Sequence, residues 1–369
     1  MSKHSLRRKP FITAQMIRHI LIIRFRRVGD SVLTMGLCRS LKQSFPDAQI
    51  HLVLNAAIAP LFEGHPDVDR VIGFKPDELH GLRYLKRVRE VVHETRYDAI
   101  IDMRSTVKTQ FFSLFSLHTP YRIGWKKLYT LLGHNYRIDK PTDISRVEAD
   151  LLLGQPLAAE GSWKPTAAFR LSITPDERST YRRYMTEKGI DFGKPVVLCT
   201  VTARLAYKVL PYERMTRLLR HFIDRSGAQL VFNYAGEEET RAAQQIWNDL
   251  GQDPHVFLQI EAKGLRQLCA LLSNCTFFFG NEGGPRHMAQ ALGIPSFAIF
   301  PPGIPKAIWL PADGGGMSRG ISPDDFLPAD RQKDMSYAER FGLITDGALV
   351  EQLDAMWYDV CNRPGPEGD

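Results

Sequence analysis

Ten short apolar runs, each leading into a turn and most of them then into an amphipathic segment, constrain this chain more than any other feature. In the first half they are "HILIIRF" (19–25), "QIHLVLN" (49–55), "DRVIGF" (69–74), "YDAIID" (97–102) and "YRIGW" (121–125). In the second they are "PVVLCTV" (195–201), "AQLVFNYA" (228–235), "HVFLQI" (255–260), "TFFFGN" (276–281) and "PSFAIF" (295–300). Runs this short, apolar at consecutive positions, suit strands buried on both faces of a parallel sheet. Helical periodicity separates them, as in 78–96, where Leu82, Leu85, Val88 and Val92 recur at helical spacing. The segment 211–227 opens on Pro and closes on Gly, the expected start and stop of a helix. Alternating strands and helices imply parallel sheets with right-handed crossovers.

The grammar occurs twice within 369 residues, enough for two cores. The expected fold class is α/β: two Rossmann-like domains with mainly parallel sheets facing an inter-domain cleft. The expected divisions are a basic extension (1–18), a first domain (19–165), a second (176–345), a C-terminal helix that packs back (346–362) and a tail (363–369). The apolar fraction of 44% and charged fraction of 24% are those of a soluble globular protein. No apolar run reaches the length of a membrane span, and no secretory signal is evident. Cysteines 38, 199, 269, 275 and 361 form no CxxC pair and no metal constellation, so reduced thiols in a cytosolic protein are expected, with no cofactor and no metal.

The net charge of +7 is unevenly placed. Residues 1–29 hold no acid, and neither do residues 103–138, which carry Arg104, Lys108, Arg122, Lys126, Lys127 and Arg137. Such stretches suit an anionic partner. The first, with Leu6, Phe11, Ile12, Met16 and Ile17, either lies on anionic lipid or is a solvated tail.

Ligands of open α/β sheets bind beyond the carboxyl ends of the strands. There "GNEGGPRH" (280–287) leads a strand into a helix, whose first amides and dipole suit a diphosphate. Gly283 and Gly284 admit close backbone approach, His287 can donate to a phosphate oxygen, and Glu282 suits a sugar hydroxyl. A plain strand-to-helix turn is the alternative. Asp30 in "RRVGDSVLT" is either a general base at a strand mouth or a helix N-cap. Thr200, Thr202 and Lys208 form a set able to hold phosphate. Glu237, Glu238 and Glu239 favour a helix N-terminus, and one of them, taken as Glu237, can grip a ribose. GxGxxG after the first strand, Walker A and GxSxG motifs are all absent, which counts against dehydrogenases, P-loop enzymes and serine hydrolases.

The ordered set "RVGDSVLTMGLCRSLKQSFPDAQIHLV", "HPDVDRVI", "YDAIIDMRSTVKT", "YRIGW", "KVLPYERM" and "GNEGGPRHMAQALGIPSFAIF" resembles glycosyltransferase family 9, the ADP-heptose:lipopolysaccharide heptosyltransferases. The resemblance implies a GT-B fold and inverting, metal-independent transfer from a nucleotide sugar, taken as ADP-heptose, to a lipopolysaccharide core or lipid A-Kdo acceptor. It gives the general base to Asp30. The donor site would comprise Thr200, Thr202, Lys208, Glu282, Gly283, Gly284 and His287, and the acceptor site Arg104, Lys108 and Arg122. It places the enzyme in the cytoplasm, in peripheral contact with the inner membrane, with no nucleic acid as partner. The chain departs from the family where Glu282 replaces Asp, Gly283 replaces Thr and Leu210 replaces Trp. Two other readings are a GT-B nucleotide-sugar epimerase and a non-catalytic binder of an anionic glycolipid.

Overall fold

The computed structural model describes residues 17–160, 163–311 and 317–362. The chain forms two compact units. One comprises the described residues as far as Arg26, Thr34–Thr142 and Val147–Ala168; the other comprises Arg27–Leu33, Asp143–Arg146 and everything from Phe169 onward. The segment Arg27–Leu33 thus leaves the unit that its place in the sequence suggests.

The first unit contains β1 (His19–Ile23), β2 (Gln49–Asn55), β3 (Arg70–Phe74), β4 (Ala99–Asp102), β5 (Tyr121–Trp125) and β6 (Tyr136–Ile138). They form one parallel sheet in the order β3-β2-β1-β4-β5-β6. β1 and β4 are buried on both faces, as their continuous apolar runs require. The helix Gly81–Glu94 buries Tyr84, Val88, Val91 and Val92 against the sheet's aromatic and aliphatic core, whereas Leu82 is exposed.

The second unit repeats the plan with β7 (Val196–Thr200), β8 (Gln229–Phe232), β9 (Val256–Phe257), β10 (Phe277–Asn281), β11 (Ser296–Ile299) and β12 (Ser318–Ile321). Its parallel order is β12-β11-β10-β7-β8-β9. Counted from each unit's first strand, both sheets run 3-2-1-4-5-6, the order of the dinucleotide-binding fold. β6 and β12 were not expected from the sequence, and β9 is shorter than the run 255–260. All three are sheet edges, which pair on one side only and so need little apolar sequence.

The helix Tyr212–Ser226 begins after Pro211 and ends at Gly227 in the left-handed region, as its sequence predicts. The final helix, Asp346–Cys361, buries Leu349, Leu353, Met356 and Trp357. The Trp357 ring lies 5.2 Å from that of Phe222 and 5.7 Å from that of Phe277, so this helix completes the second unit's own core. Leu210 is wholly buried in the same core. Four cysteines are buried and free, and Cys361 is exposed. Of the N-terminal apolar residues, Ile17 is buried and unavailable to lipid; the others, like the tail 363–369, lie outside the described residues.

Candidate functional site

In the second unit the strand order reverses between β7 and β10, and the ligand crevice of such sheets lies at their carboxyl ends. Gly280 makes that junction possible. Its φ is +136°, and a Cβ there would lie 2.4 Å from the Thr200 carbonyl oxygen. Gly280→Ala should therefore cost about 3–5 kcal/mol, backbone strain and overpacking together. A urea unfolding curve would show it, and a loss below about 1 kcal/mol would mean that β10 yields freely. Asn281 ties the two strand ends together: its Nδ2 donates to the Thr200 carbonyl at 3.0 Å, and its Oδ1 accepts from the Leu210 amide at 2.9 Å. Thr200 turns its hydroxyl inward to the Asn281 carbonyl at 3.0 Å, so that donor is already engaged.

The turn after β10 carries the most concentrated chemistry. Gly283 precedes the helix Gly284–Ala291 and provides no side-chain cap, with Pro285 in the first turn. Pro285 has no N–H and the Arg286 amide donates to the Gly283 carbonyl at 3.2 Å, so the Gly284 amide leads this helix with no side-chain cap competing for it. Arg286 and His287, on that first turn, are both buried. The Arg286 guanidinium donates through Nη1 to Gln290 Oε1 at 2.7 Å and through Nη2 to the Trp309 carbonyl. The same Nη2 is 2.8 Å from both ring nitrogens of His287, whose Nε2 is 3.6 Å from Glu282 Oε1. Nη2 is equally near both nitrogens, so the Glu282 contact decides the tautomer: Nε2–H faces Glu282 and Nδ1 accepts from Arg286. Burial pushes the Arg286 guanidinium down to about 10 while Glu282 opposes the shift. Burial and the Arg286 charge push the imidazole down to about 4, against the pull of Glu282 and Asp30, so His287 is neutral at pH 7. For Glu282, burial acts upward, yet the His287 hydrogen bond and the charges of Arg286 and Lys208 outweigh it and hold the carboxyl below its usual range.

Asp30 belongs to this group. The short helix Val28–Leu33 lies in the second unit, where a Cβ on Gly29 would fall 2.6 Å from His287 Cδ2 and one on Gly284 would fall 3.3 Å from Val28 Cβ. Glycine on both sides lets the two helices meet at backbone distance. Asp30 is the third residue of its helix rather than the N-cap, is buried, and is near enough for its charge to act on His287.

Further along the same edge, the Thr202 hydroxyl donates to Glu239 Oε2 at 2.9 Å. Glu237, taken from sequence as the ribose ligand, instead points into solvent, with its side chain 90% exposed and paired with Arg241 at 3.2 Å. The signal that selects Glu239 was present: it shares a helix face with the buried Ala243 and Ile246. Lys208 closes a short turn through its amide to the Leu205 carbonyl at 2.9 Å, and its charge reaches Glu282. Beyond the ends of β8 and β9 is a cavity of about 210 Å³ lined by Leu198, Phe232, Tyr234, Ile260, Leu271 and Glu261, among others. Asn233 and Thr240 complete a lining whose exposed surface is more polar than apolar, with Phe232, Tyr234 and Ile260 as its large side chains.

In the first unit, the residues after β4 are held by one buried carboxylate. Asp102 accepts from the amides of Arg104 and Ser105, at 3.0 and 2.8 Å, and from the Thr109 hydroxyl at 2.7 Å. Ser105 adopts φ +48°, a costly conformation that clusters at functional sites, and its Oγ accepts from the Trp125 amide at 2.7 Å. Arg104 is half-buried beside it. Lys108 donates to the Leu79 carbonyl and lies 4.6 Å from the centre of the Tyr84 ring. Arg122 donates to three main-chain carbonyls, those of Gly133, Leu117 and Thr119, at 3.0, 2.7 and 2.7 Å. That guanidinium assembles loops, and Arg122 is therefore set aside as an acceptor ligand.

Comparison with known proteins identifies the family. The model of glycosyltransferase family 9 (heptosyltransferase) matches residues 85–311, more than half of the chain. Lipopolysaccharide heptosyltransferase 2 of Salmonella typhimurium is 26% identical over 299 residues, covering 78% of this chain and 83% of that one. A family 9 glycosyltransferase of Veillonella parvula superposes with a TM-score of 0.79 at 14% identity, over 95% of this chain and 99% of the other. The ADP-heptose lps heptosyltransferase II of E. coli superposes with a TM-score of 0.68 at 20% identity, over 91% and 99%. With two Rossmann-type sheets and this match, the chain is an α/β glycosyltransferase that belongs to glycosyltransferase family 9, the heptosyltransferases.

Proposed function

We propose that the protein transfers heptose from ADP-heptose to a lipopolysaccharide core acceptor by a single inverting displacement that needs no metal. One observation carries the reading: the buried Asp30 carboxylate and the His287–Glu282 turn belong to the same compact unit, at the strand-order reversal of its sheet. Asp30 takes the proton of the acceptor hydroxyl as that oxygen bonds to the anomeric carbon. The bond from that carbon to the diphosphate oxygen breaks on the opposite face, and ADP leaves. The developing charge meets the Gly284 amide at the start of the Gly284–Ala291 helix, the Lys208 ammonium and the single N–H of the neutral His287, which leaves Glu282 for the diphosphate oxygen. Glu282, kept ionised, is suited to a sugar hydroxyl; its own charge beside a diphosphate is offset by Arg286 and Lys208. The cavity beside Tyr234 and Ile260 accommodates the adenine, with Glu239 and Thr202 nearer the ribose. Arg104, on the strained turn after β4, meets the anionic acceptor, with Lys108 behind it.

The test is calorimetry with ADP together with turnover of ADP-heptose on a purified core acceptor. Lys208→Ala should weaken ADP binding by about 2 kcal/mol, the loss of a charge-assisted contact. Unchanged binding would remove Lys208 from the donor site, and hydrolysis or epimerisation without acceptor would overturn transfer as the reaction.

A further inference from the structure

The loop after β5 has a composition that the sugar-transfer site does not use. Leu128, Leu131 and Leu132 are 93%, 64% and 79% exposed, and Tyr129, Leu117 and Val107 are exposed as well. Solvated leucines so concentrated are uncommon on a surface that faces only water. The structure fixes them to one region. Tyr129 Oη donates to the Ser105 carbonyl at 3.1 Å and Lys127 Nζ to the same oxygen at 2.8 Å, which holds the leucine turn against the segment bearing Val107. The Arg122 guanidinium spans the Gly133 and Leu117 carbonyls, at 3.0 and 2.7 Å, and so joins the end of the turn to the Leu117 loop. All of this lies within 103–138, where there is no Asp or Glu. Lys126, exposed at the edge, pairs with Asp139 at 3.1 Å, just outside that stretch.

From this juxtaposition of exposed leucines with an acid-free basic rim, we infer that the Leu128–Leu132 turn is a docking surface for an anionic lipid bilayer. Apolar side chains enter the acyl boundary while neighbouring cations stay at the headgroups. Anionic leaflets attract such cations, more strongly at low salt. A neutral protein partner would make no use of the missing acids, and a second copy of this chain would bring the same positive charge to the contact. Among the described residues no helix is long and apolar enough to cross a membrane, so the contact would be peripheral. The inference stands on surface chemistry and is independent of which sugar is transferred.

Co-sedimentation of the full chain with phosphatidylglycerol–phosphatidylethanolamine vesicles, and with phosphatidylcholine vesicles, tests it. Wild type should bind the anionic vesicles in a salt-sensitive way, and a Leu128→Ser, Leu131→Ser, Leu132→Ser variant should bind roughly tenfold less or weaker still. Tyr358→Ser, which alters an exposed aromatic of the other unit, should bind as wild type. As a second readout, Leu131→Cys in a Cys361→Ser background, bearing a polarity-sensitive dye, should shift to the blue on anionic vesicles. Failure of wild type to bind, equal binding by the triple variant, or a dye that stays in water would each overturn the inference. So would light scattering that showed wild type dimeric and the triple variant monomeric without lipid.

Discussion

Replacing Asp30 with Asn is expected to lower turnover by about 10²–10⁴-fold, the contribution of a positioned general base, while ADP binds as tightly as before or slightly more tightly. The substitution keeps the size of the side chain in a buried position and removes its ability to take a proton. It also removes a negative charge near the proposed diphosphate site, which if anything favours the leaving group's binding. Asp30 acts to raise the His287 pKa, so its loss pushes further down an imidazole already at about 4, and His287 stays neutral at pH 7 in both proteins. The change in rate is then not confused with a change in histidine charge. Single-turnover kinetics paired with ADP calorimetry separates the possibilities. Turnover and affinity falling together would make Asp30 a donor ligand, and near-normal turnover would move the base elsewhere.

Asp30 also marks how far the sequence leads. Its place at the mouth of the first strand was legible from a strand-turn-helix pattern, but its choice between cap and base was not. That choice depends on Gly29 lying against His287, a contact between residues more than 250 positions apart in the chain. The central strands were legible because burial on both faces writes a continuous apolar run, as in β1 and β7. β6, "YRI", is half-buried throughout, and an edge strand like this leaves no such trace. Among the three consecutive glutamates the composition alone favoured none, and the helix phase set by Ala243 and Ile246 turned Glu239 inward and Glu237 out. Arg122 had the right charge for an anionic ligand, but only the positions of three carbonyls reveal that its guanidinium is occupied. Arg286 was passed over altogether, since a charged residue in a first helical turn normally faces water.

That arginine underlies the second large effect. A wholly buried guanidinium whose hydrogen-bond partners are the neutral Gln290, Trp309 carbonyl and His287 depends on Glu282 for opposite charge. Glu282→Gln keeps the shape and removes that charge, so the protein should lose about 1–3 kcal/mol, the cost of leaving a buried group without its compensating partner. Arg286→Met alone should also destabilise, leaving acceptors unsatisfied and Glu282 without its nearest guanidinium. The double variant should recover much of the loss, giving a coupling of about 1–3 kcal/mol in a urea double-mutant cycle. Strict additivity would mean that the two charges do not sense each other. The pH dependence supplies an independent check. His287 titrates near 4 in the fold and near 6.5 when unfolded, so the unfolded chain takes up the proton first as pH falls. Its contribution to stability is complete above about 6.5 and is lost as pH falls toward 4. Arg286→Met removes one of the two influences that depress the imidazole and should bring its pKa back upward. The loss of stability between pH 7.5 and 5 should therefore be smaller in that variant than in wild type, and an equal loss would show that burial alone keeps His287 neutral.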